Sequence, residues 1–180
     1  MYKSDTFWIT EFELSDADNL SHLMKSNSDR FQKYFPKTLS QNLTIEDSKA
    51  YILRKAVENK NKTEFTFAIK DAATQDLAGI IILKDIDLTK QEGEVAYAMD
   101  KSFERKGWAT LAVKELSKYA FNKLTLKTLK IITHRTNLGS CKIAIKNGYV
   151  WKRTLKNEHT PANESPLDME LYELNDRSYY

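Results

Sequence analysis

Midway along the chain the spacing of apolar residues changes from two to three-and-four, with one short basic loop between the two patterns. Phe65, Phe67 and Ile69 alternate with Glu64, Thr66 and Lys70 from Thr63 onward, the mark of a half-buried strand. A turn over Asp71 to Asp76 leads to a more buried strand from Leu77 to about Ile86, and a second turn (Asp87 to Glu92) to a strand over Gly93 to Met99, alternating at Val95, Tyr97 and Met99. Then Ala109, Ala112, Val113, Leu116, Ala120 and Leu124 fall three and four apart, an amphipathic helix from about Trp108 to Leu124. Consecutive strands with short turns predict an antiparallel meander, and a strand feeding a long helix rules out an all-β or all-α chain.

The rest of the chain extends this pattern. Phe7 to Leu14 reads as a strand running into the N-cap cluster Ser15-Asp16-Ala17-Asp18, ahead of Leu20, Leu23 and Met24. Ser26 to Leu43, with Phe31, Tyr34, Phe35 and Pro36, reads as an ordered loop. Thr44-Ile45-Glu46-Asp47 resembles a capping box for a helix to about Asn59. Thr128 to Thr133 is a strand, Asn137 can cap a short helix that stops at Asn147-Gly148, and Tyr149 to Leu155 and Asp168 to Leu174 are two last strands. The expectation is α+β (mixed α/β): about seven strands in a mixed, largely antiparallel sheet, flanked by about four helices. No repeat or linker interrupts it, so residues 1–180 read as one domain with a loose tail at 175–180.

Composition narrows the function. With 180 residues the chain can bury a core without disulfides, and 28 Lys+Arg against 25 Asp+Glu leave +3, too small and too dispersed a surplus for a nucleic-acid binder. Mean hydropathy is −0.57, and no apolar run approaches the roughly 18 residues of a membrane span. One cysteine, Cys141, excludes a disulfide framework and a multi-cysteine metal site, and with no signal-like segment after Met1 it leads to an expected cytoplasmic location. No metal is expected.

The segment Phe103-Glu104-Arg105-Lys106-Gly107-Trp108-Ala109-Thr110 places basic and small residues where the long helix begins. Backbone N–H groups and the helix dipole there favour an anion, and Gly107 and Ala109 leave room for phosphate oxygens to approach; a basic, solvated helix start is the plainer alternative. It is neither the nucleotide-hydrolysing loop, since G-x-x-x-x-G-K-[ST] is absent, nor a dinucleotide fingerprint, since G-x-G-x-x-G is absent.

Taken together, Gly93-Glu94-Val95-Ala96-Tyr97-Ala98-Met99, Lys106-Gly107-Trp108-Ala109-Thr110, Asn137-Leu138-Gly139-Ser140 and Lys146-Asn147-Gly148-Tyr149 resemble the GNAT superfamily of acetyl-CoA-dependent N-acetyltransferases. The Asn-x-x-Ser ahead of Lys-x-Gly-aromatic, the Tyr34-Phe35-Pro36 loop and the last strand resemble its ribosomal-protein N-terminal acetyltransferases (the RimJ/RimL type). The likeness covers nearly the whole chain.

This resemblance implies a site. The family's pyrophosphate loop Q/R-x-x-G-x-G/A corresponds to Glu104 through Ala109, with Glu104 a departure at the Q/R position, so that Arg105, Lys106 and backbone amides carry the phosphates. It implies that the strand at Tyr97, Ala98 and Met99 splays from its neighbour and holds the pantetheine arm with its backbone. Trp108 and Thr110 belong to the same cofactor surface, Asn137 to the pantetheine contact, and Ser140 to the neighbourhood of the thioester sulfur. Attack by an amine requires a neutral nucleophile, an oxyanion donor and a proton for the leaving thiolate. Backbone N–H near Tyr97 or Ala98 is the oxyanion candidate, Glu94 the base, directly or through water, and Ser140 the acid, because Ala144 stands where many members carry a tyrosine.

Phe31, Tyr34, Phe35 and Glu94 are expected to face the acceptor, and the acidic set Asp85, Asp87, Glu92 and Glu94 could attract a cationic amine or be ordinary solvated loop charges. His22 and His159 belong to no constellation, and His134, alone near a strand end, reads as structural. The expected reaction is acetyl transfer from acetyl-CoA to a protein N-terminal α-amine in a ternary complex, in a monomer or homodimer. A small amine (polyamine, amino acid or antibiotic) is the alternative acceptor, and a non-catalytic acyl-CoA-binding module the alternative class.

Overall fold

In the computed structural model, residues 1–161 and 164–176 are described. Their strands are β1 (Tyr2–Lys3), β2 (Phe7–Thr10), β3 (Phe65–Asp71), β4 (Leu77–Asp87), β5 (Glu92–Met99), β6 (Thr128–Thr133), β7 (Val150–His159) and β8 (Leu167–Asn175). The helices are α1 (Ala17–Ser26), α2 (Ser28–Tyr34), α3 (Pro36–Ser40), α4 (Ile45–Asn61), α5 (Trp108–Leu124) and α6 (Leu138–Lys146). The strands line up in the order β1-β2-β3-β4-β5-β6-β8-β7. β1–β2, β2–β3, β6–β8 and β7–β8 are antiparallel, and β5–β6 is parallel. The class is the expected mixed α/β one, with eight strands and six helices among the described residues in place of about seven and four.

Two compact units divide the chain: Met1–Ile82 with Tyr97–Trp108, and Leu83–Ala96 with the described residues from Ala109 on. In the first, α1 buries Leu20, Leu23 and Met24, and α4 buries Tyr51 and Ile52. The α4 capping box forms as read: Thr44 Oγ1 accepts from the Asp47 amide at 3.0 Å and Asp47 Oδ2 from the Thr44 amide at 3.1 Å. The segment expected to be a loop is instead two short helices, α2 and α3, with Phe31 buried and Pro36 at the first position of α3. β3 also differs from expectation. Every residue from Phe65 to Lys70 is buried, so both faces of this strand are covered, which the alternation of apolar and polar residues did not indicate.

In the second unit, α5 buries Ala112, Val113, Leu116 and Ala120 as its spacing requires. Tyr149 returns from α6, its hydroxyl 2.8 Å from buried Ser117 Oγ. The β5–β6 pairing covers only Glu92↔Thr128, Gly93↔Leu129 and Glu94↔Lys130, while β6 continues to Thr133 alongside β8. Of the tail expected at 175–180, Asn175 closes β8 and the Asp176 amide donates to the Lys127 carbonyl at 3.0 Å; residues 177–180 lie outside the described residues.

Candidate active site

In the first unit, the chain leaving β5 makes a tight basic turn. Asp100 caps a single 3₁₀ turn (Lys101–Phe103), its Oδ1 accepting from the Ser102 amide at 2.7 Å. Arg105 and Gly107 both take left-handed backbone angles, with φ of 63° and 79°. A residue without Cβ is favoured at such a φ, and here the missing Cβ also faces open space, with nothing within 4 Å of where it would stand. The turn therefore exposes backbone where an anion can approach at the start of the 17-residue α5.

The side chains of the turn separate by role. Trp108 is 7% exposed and lies 5.3 Å from the Phe7 ring and 5.4 Å from Phe103, so its indole anchors the turn in the core and only its backbone can meet a ligand. Lys106 Nζ sits 4.5 Å above Phe103 and 4.8 Å above Trp108, a cation–π placement that holds its charge over the turn. Arg105 is exposed. Glu104 does not stand alone, because Arg30 of α2 donates from Nη2 to its Oε1.

β5 enters this turn with a slip in phase. Gly93, Val95 and Ala98 are buried while Tyr97 and Met99 are half-buried, so the alternation expected to continue through Tyr97 and Met99 breaks after Val95. β4 approaches closely there: a Cβ on Gly79 would come within 2.5 Å of the Ala98 carbonyl oxygen and 3.2 Å of Met99 Cα. Phe31, 5% exposed, has its ring centroid 6.3 Å from that of the half-buried Phe35. Tyr34, also half-buried, ends α2.

In the second unit, Glu94 is the chemically distinctive residue. Its side chain is 16% exposed and accepts from Lys84 Nζ at 2.9 Å. Burial pushes its carboxyl above the ordinary carboxylate range against the pull of Lys84, with Asp85 and Glu158 adding to the rise. Burial works to lower the Lys84 pKa, yet Glu94 and Asp85 outweigh it and hold the ammonium above its usual range. The other acids of the set are matched as well: Asp85 with Lys84 at 2.9 Å, Asp87 with Lys90 at 3.5 Å and Glu92 with Lys130 at 2.8 Å.

At the start of α6, Asn137 Oδ1 accepts from the Ser140 amide at 3.2 Å, so the cap itself brings these two candidates together. His134 Nδ1 lies 2.7 Å from Thr136 Oγ1 in the preceding turn. Ala109 and Thr110, both half-buried, open α5, and the Thr110 carbonyl accepts from Asn147 Nδ2 at 3.1 Å, tying the end of α6 to the first turn of α5. Three residues that sequence reasoning passed over emerge here: Lys84 beside Glu94, Arg30 on Glu104, and Tyr172 of β8. Burial and Cys141 beside it push the Tyr172 hydroxyl up to about 12. Among the described residues no group of three His, Cys, Asp or Glu could hold a metal ion, and no helix is long and apolar enough to cross a membrane.

The fifth strand of this mixed sheet carries a shielded carboxylate and runs on through a basic turn into a long helix. The Acetyltransferase (GNAT) domain family matches residues 7–150, and the chain belongs to that family. It is an enzyme of the acetyltransferase class, whose members use acetyl-CoA. The Bacillus subtilis (strain 168) protein described as Probable N-acetyltransferase YjcK is 27% identical over 150 residues, 83% of each chain. The crystal structure of ribosomal-protein-S5-alanine acetyltransferase from Vibrio fischeri shares the fold with a TM-score of 0.90 at 19% identity, over 99% of this chain and 98% of that one. The microcin C7 self immunity acetyltransferase MccE, solved with acetyl-CoA and AMP, shares it with a TM-score of 0.84 at 21% identity, over 96% and 93%. The ribosomal-protein branch that the sequence resembles is thus represented among proteins of this fold.

Proposed function

We propose that the protein transfers the acetyl group of acetyl-CoA to a protein N-terminal α-amine, with a ribosomal protein as acceptor, by direct attack in a ternary complex in the cytoplasm. The observation that carries the donor assignment is Gly107: a left-handed residue whose side-chain position is open, between Lys106 and the first turn of α5. Arg105, Lys106 and the turn's amides fit a pyrophosphate, which is the chemistry expected of that donor set. The thioester supplies the activated acetyl group. The chain supplies the rest. The β5 backbone at Tyr97 to Met99 and Asn137 hold the pantetheine arm, Glu94 takes the amine proton directly or through water, backbone N–H near Tyr97 or Ala98 donates to the developing oxyanion, and Ser140 returns a proton to the leaving thiolate.

The acceptor reading rests on two supports. An α-amine has a pKa near 7.7–8.0 and is about a tenth neutral at pH 7, whereas a lysine near 10.4 is neutral below about one part in a thousand, so a modest base suffices for the former. Asp85 and Glu94 share Lys84, Asp87 meets Lys90 and Glu92 meets Lys130, so three lysines already offset most of the charge of this acidic set and weaken its pull on a polyamine. The neighbours' names point to different acceptors, a ribosomal protein for one and microcin immunity for another.

The donor is tested by thermal unfolding with acetyl-CoA, against NAD and ATP as controls. Ligand at ~100 times Kd is expected to stabilise by about 2.7 kcal/mol. Gly107→Glu, which sets a bulky anion into the open face, is expected to abolish that rise; a folded variant with unchanged affinity would refute the assignment. Labelling of purified ribosomal proteins beside a polyamine panel then decides the acceptor, and label in the polyamines alone overturns the proposal.

A further inference from the structure

A turn that binds phosphate but carries a carboxylate has an electrostatic conflict, and the arrangement around Glu104 resolves it. Glu104 immediately precedes Arg105 and Lys106, and its side chain is 45% exposed, so an uncompensated charge there would repel an incoming pyrophosphate. The guanidinium of Arg30 takes up that charge from a helix far away in sequence, 74 positions along the chain. Arg30 is itself held in place. Its Nη1 donates at 3.1 Å to Oδ1 of Asn27, a residue only 4% exposed. The Asn27 amide is in turn fixed on three sides: Nδ2 donates to the Leu23 carbonyl at 3.0 Å and to Asp100 Oδ2 at 2.8 Å, and Oδ1 accepts from the Lys101 amide at 3.1 Å. Asp100 caps the 3₁₀ turn that leads to Glu104. One buried asparagine therefore aims an arginine of α2 and anchors the loop that carries its target.

We propose that Arg30 is a positioning residue of the coenzyme turn: it neutralises Glu104, so that Arg105, Lys106 and the turn's amides face the pyrophosphate without a competing carboxylate. The guanidinium stands in for the positive or neutral side chain that the resemblance places at position 104. An exposed ion pair of this kind adds little to stability, so the consequence is read in ligand affinity.

This inference rests on the acetyl-CoA reading above, and a double-mutant cycle on the full chain separates the two. Affinity for CoA is measured by calorimetry for the wild type, Arg30→Gln, Glu104→Gln and the double variant, each checked for an unchanged melting curve without ligand. If the wild type fails to bind CoA, the donor reading itself falls, and this inference with it. Given wild-type binding, Arg30→Gln is expected to weaken it about tenfold, Glu104→Gln to leave it equal or tighter, and the double variant to return within about twofold of Glu104→Gln alone. Rescue on removal of Glu104 is something a merely structural arginine would not show. Equal weakening by Arg30→Gln in both backgrounds would mean that Arg30 contacts phosphate directly and would overturn the proposal, as would unchanged affinity in Arg30→Gln.

Discussion

At the scale of single residues, the base role proposed for Glu94 makes a prediction about pH. A base must be ionised, so kcat/KM is expected to rise as pH climbs through the Glu94 pKa and to fall below it. Burial already raises that pKa, and Lys84 opposes the rise. Lys84→Met removes the opposing cation, so the carboxyl titrates higher still and the acidic limb moves to higher pH. We expect kcat/KM to fall severalfold on the acidic limb while staying within about twofold on the alkaline plateau. A pH profile superimposable on the wild type would show that Glu94 is not the titrating base. Glu94 as a candidate was legible in the sequence from its place on an alternating strand beside the resemblance. Its ammonium partner was not, because Lys84 reaches it across a β-turn from the neighbouring strand segment rather than through any local spacing.

At the scale of elements, the close approach of β4 to β5 gives the clearest mechanical test. Gly79→Ala would set a Cβ 2.5 Å from the Ala98 carbonyl oxygen and 3.2 Å from Met99 Cα, and backbone atoms cannot swing aside as a side chain would. Overpacking of this kind costs about 1–3 kcal/mol, measurable by urea unfolding. Since Ala98 and Met99 lie on the strand proposed to hold the pantetheine arm, acetyl-CoA affinity is expected to drop as well; a loss of stability with intact affinity would separate that backbone from the cofactor. Elements set by local rules fell where the sequence put them: α4 at its Thr44 box, α5 on its spacing, α6 at its Asn137 cap. Misreadings came where burial rather than period decides. β3 alternates in composition yet is covered on both faces, and α2 and α3 are too short for a period to declare itself in a polar, aromatic segment.

At the scale of the molecule, one pair of charges is taken almost out of water. Lys70 Nζ lies 2.7 Å from Asp16 Oδ1, the two residues being 8% and 5% exposed, and Asp16 Oδ2 also accepts from the Glu13 amide at 2.9 Å. Asp16→Asn keeps the shape and leaves the ammonium without its counter-charge, which is expected to cost about 3–5 kcal/mol. For a chain of this size that is a fall in Tm of roughly 10 °C, read by calorimetry; a change under about 2 °C would show that water reaches Lys70. What short-range physics controls was legible along the chain: the period that makes strands and helices and the caps that start them; the motifs, separately, carried the resemblance to the family. Which distant charges meet depended on the tertiary structure. Asp16 with Lys70, Lys84 with Glu94 and Arg30 with Glu104 join residues separated along the chain, and such pairs form only when packing has already brought their backbones together. Hydrophobic spacing repeats every few residues and can be read locally, whereas a Coulombic partner far along the chain leaves no periodic trace.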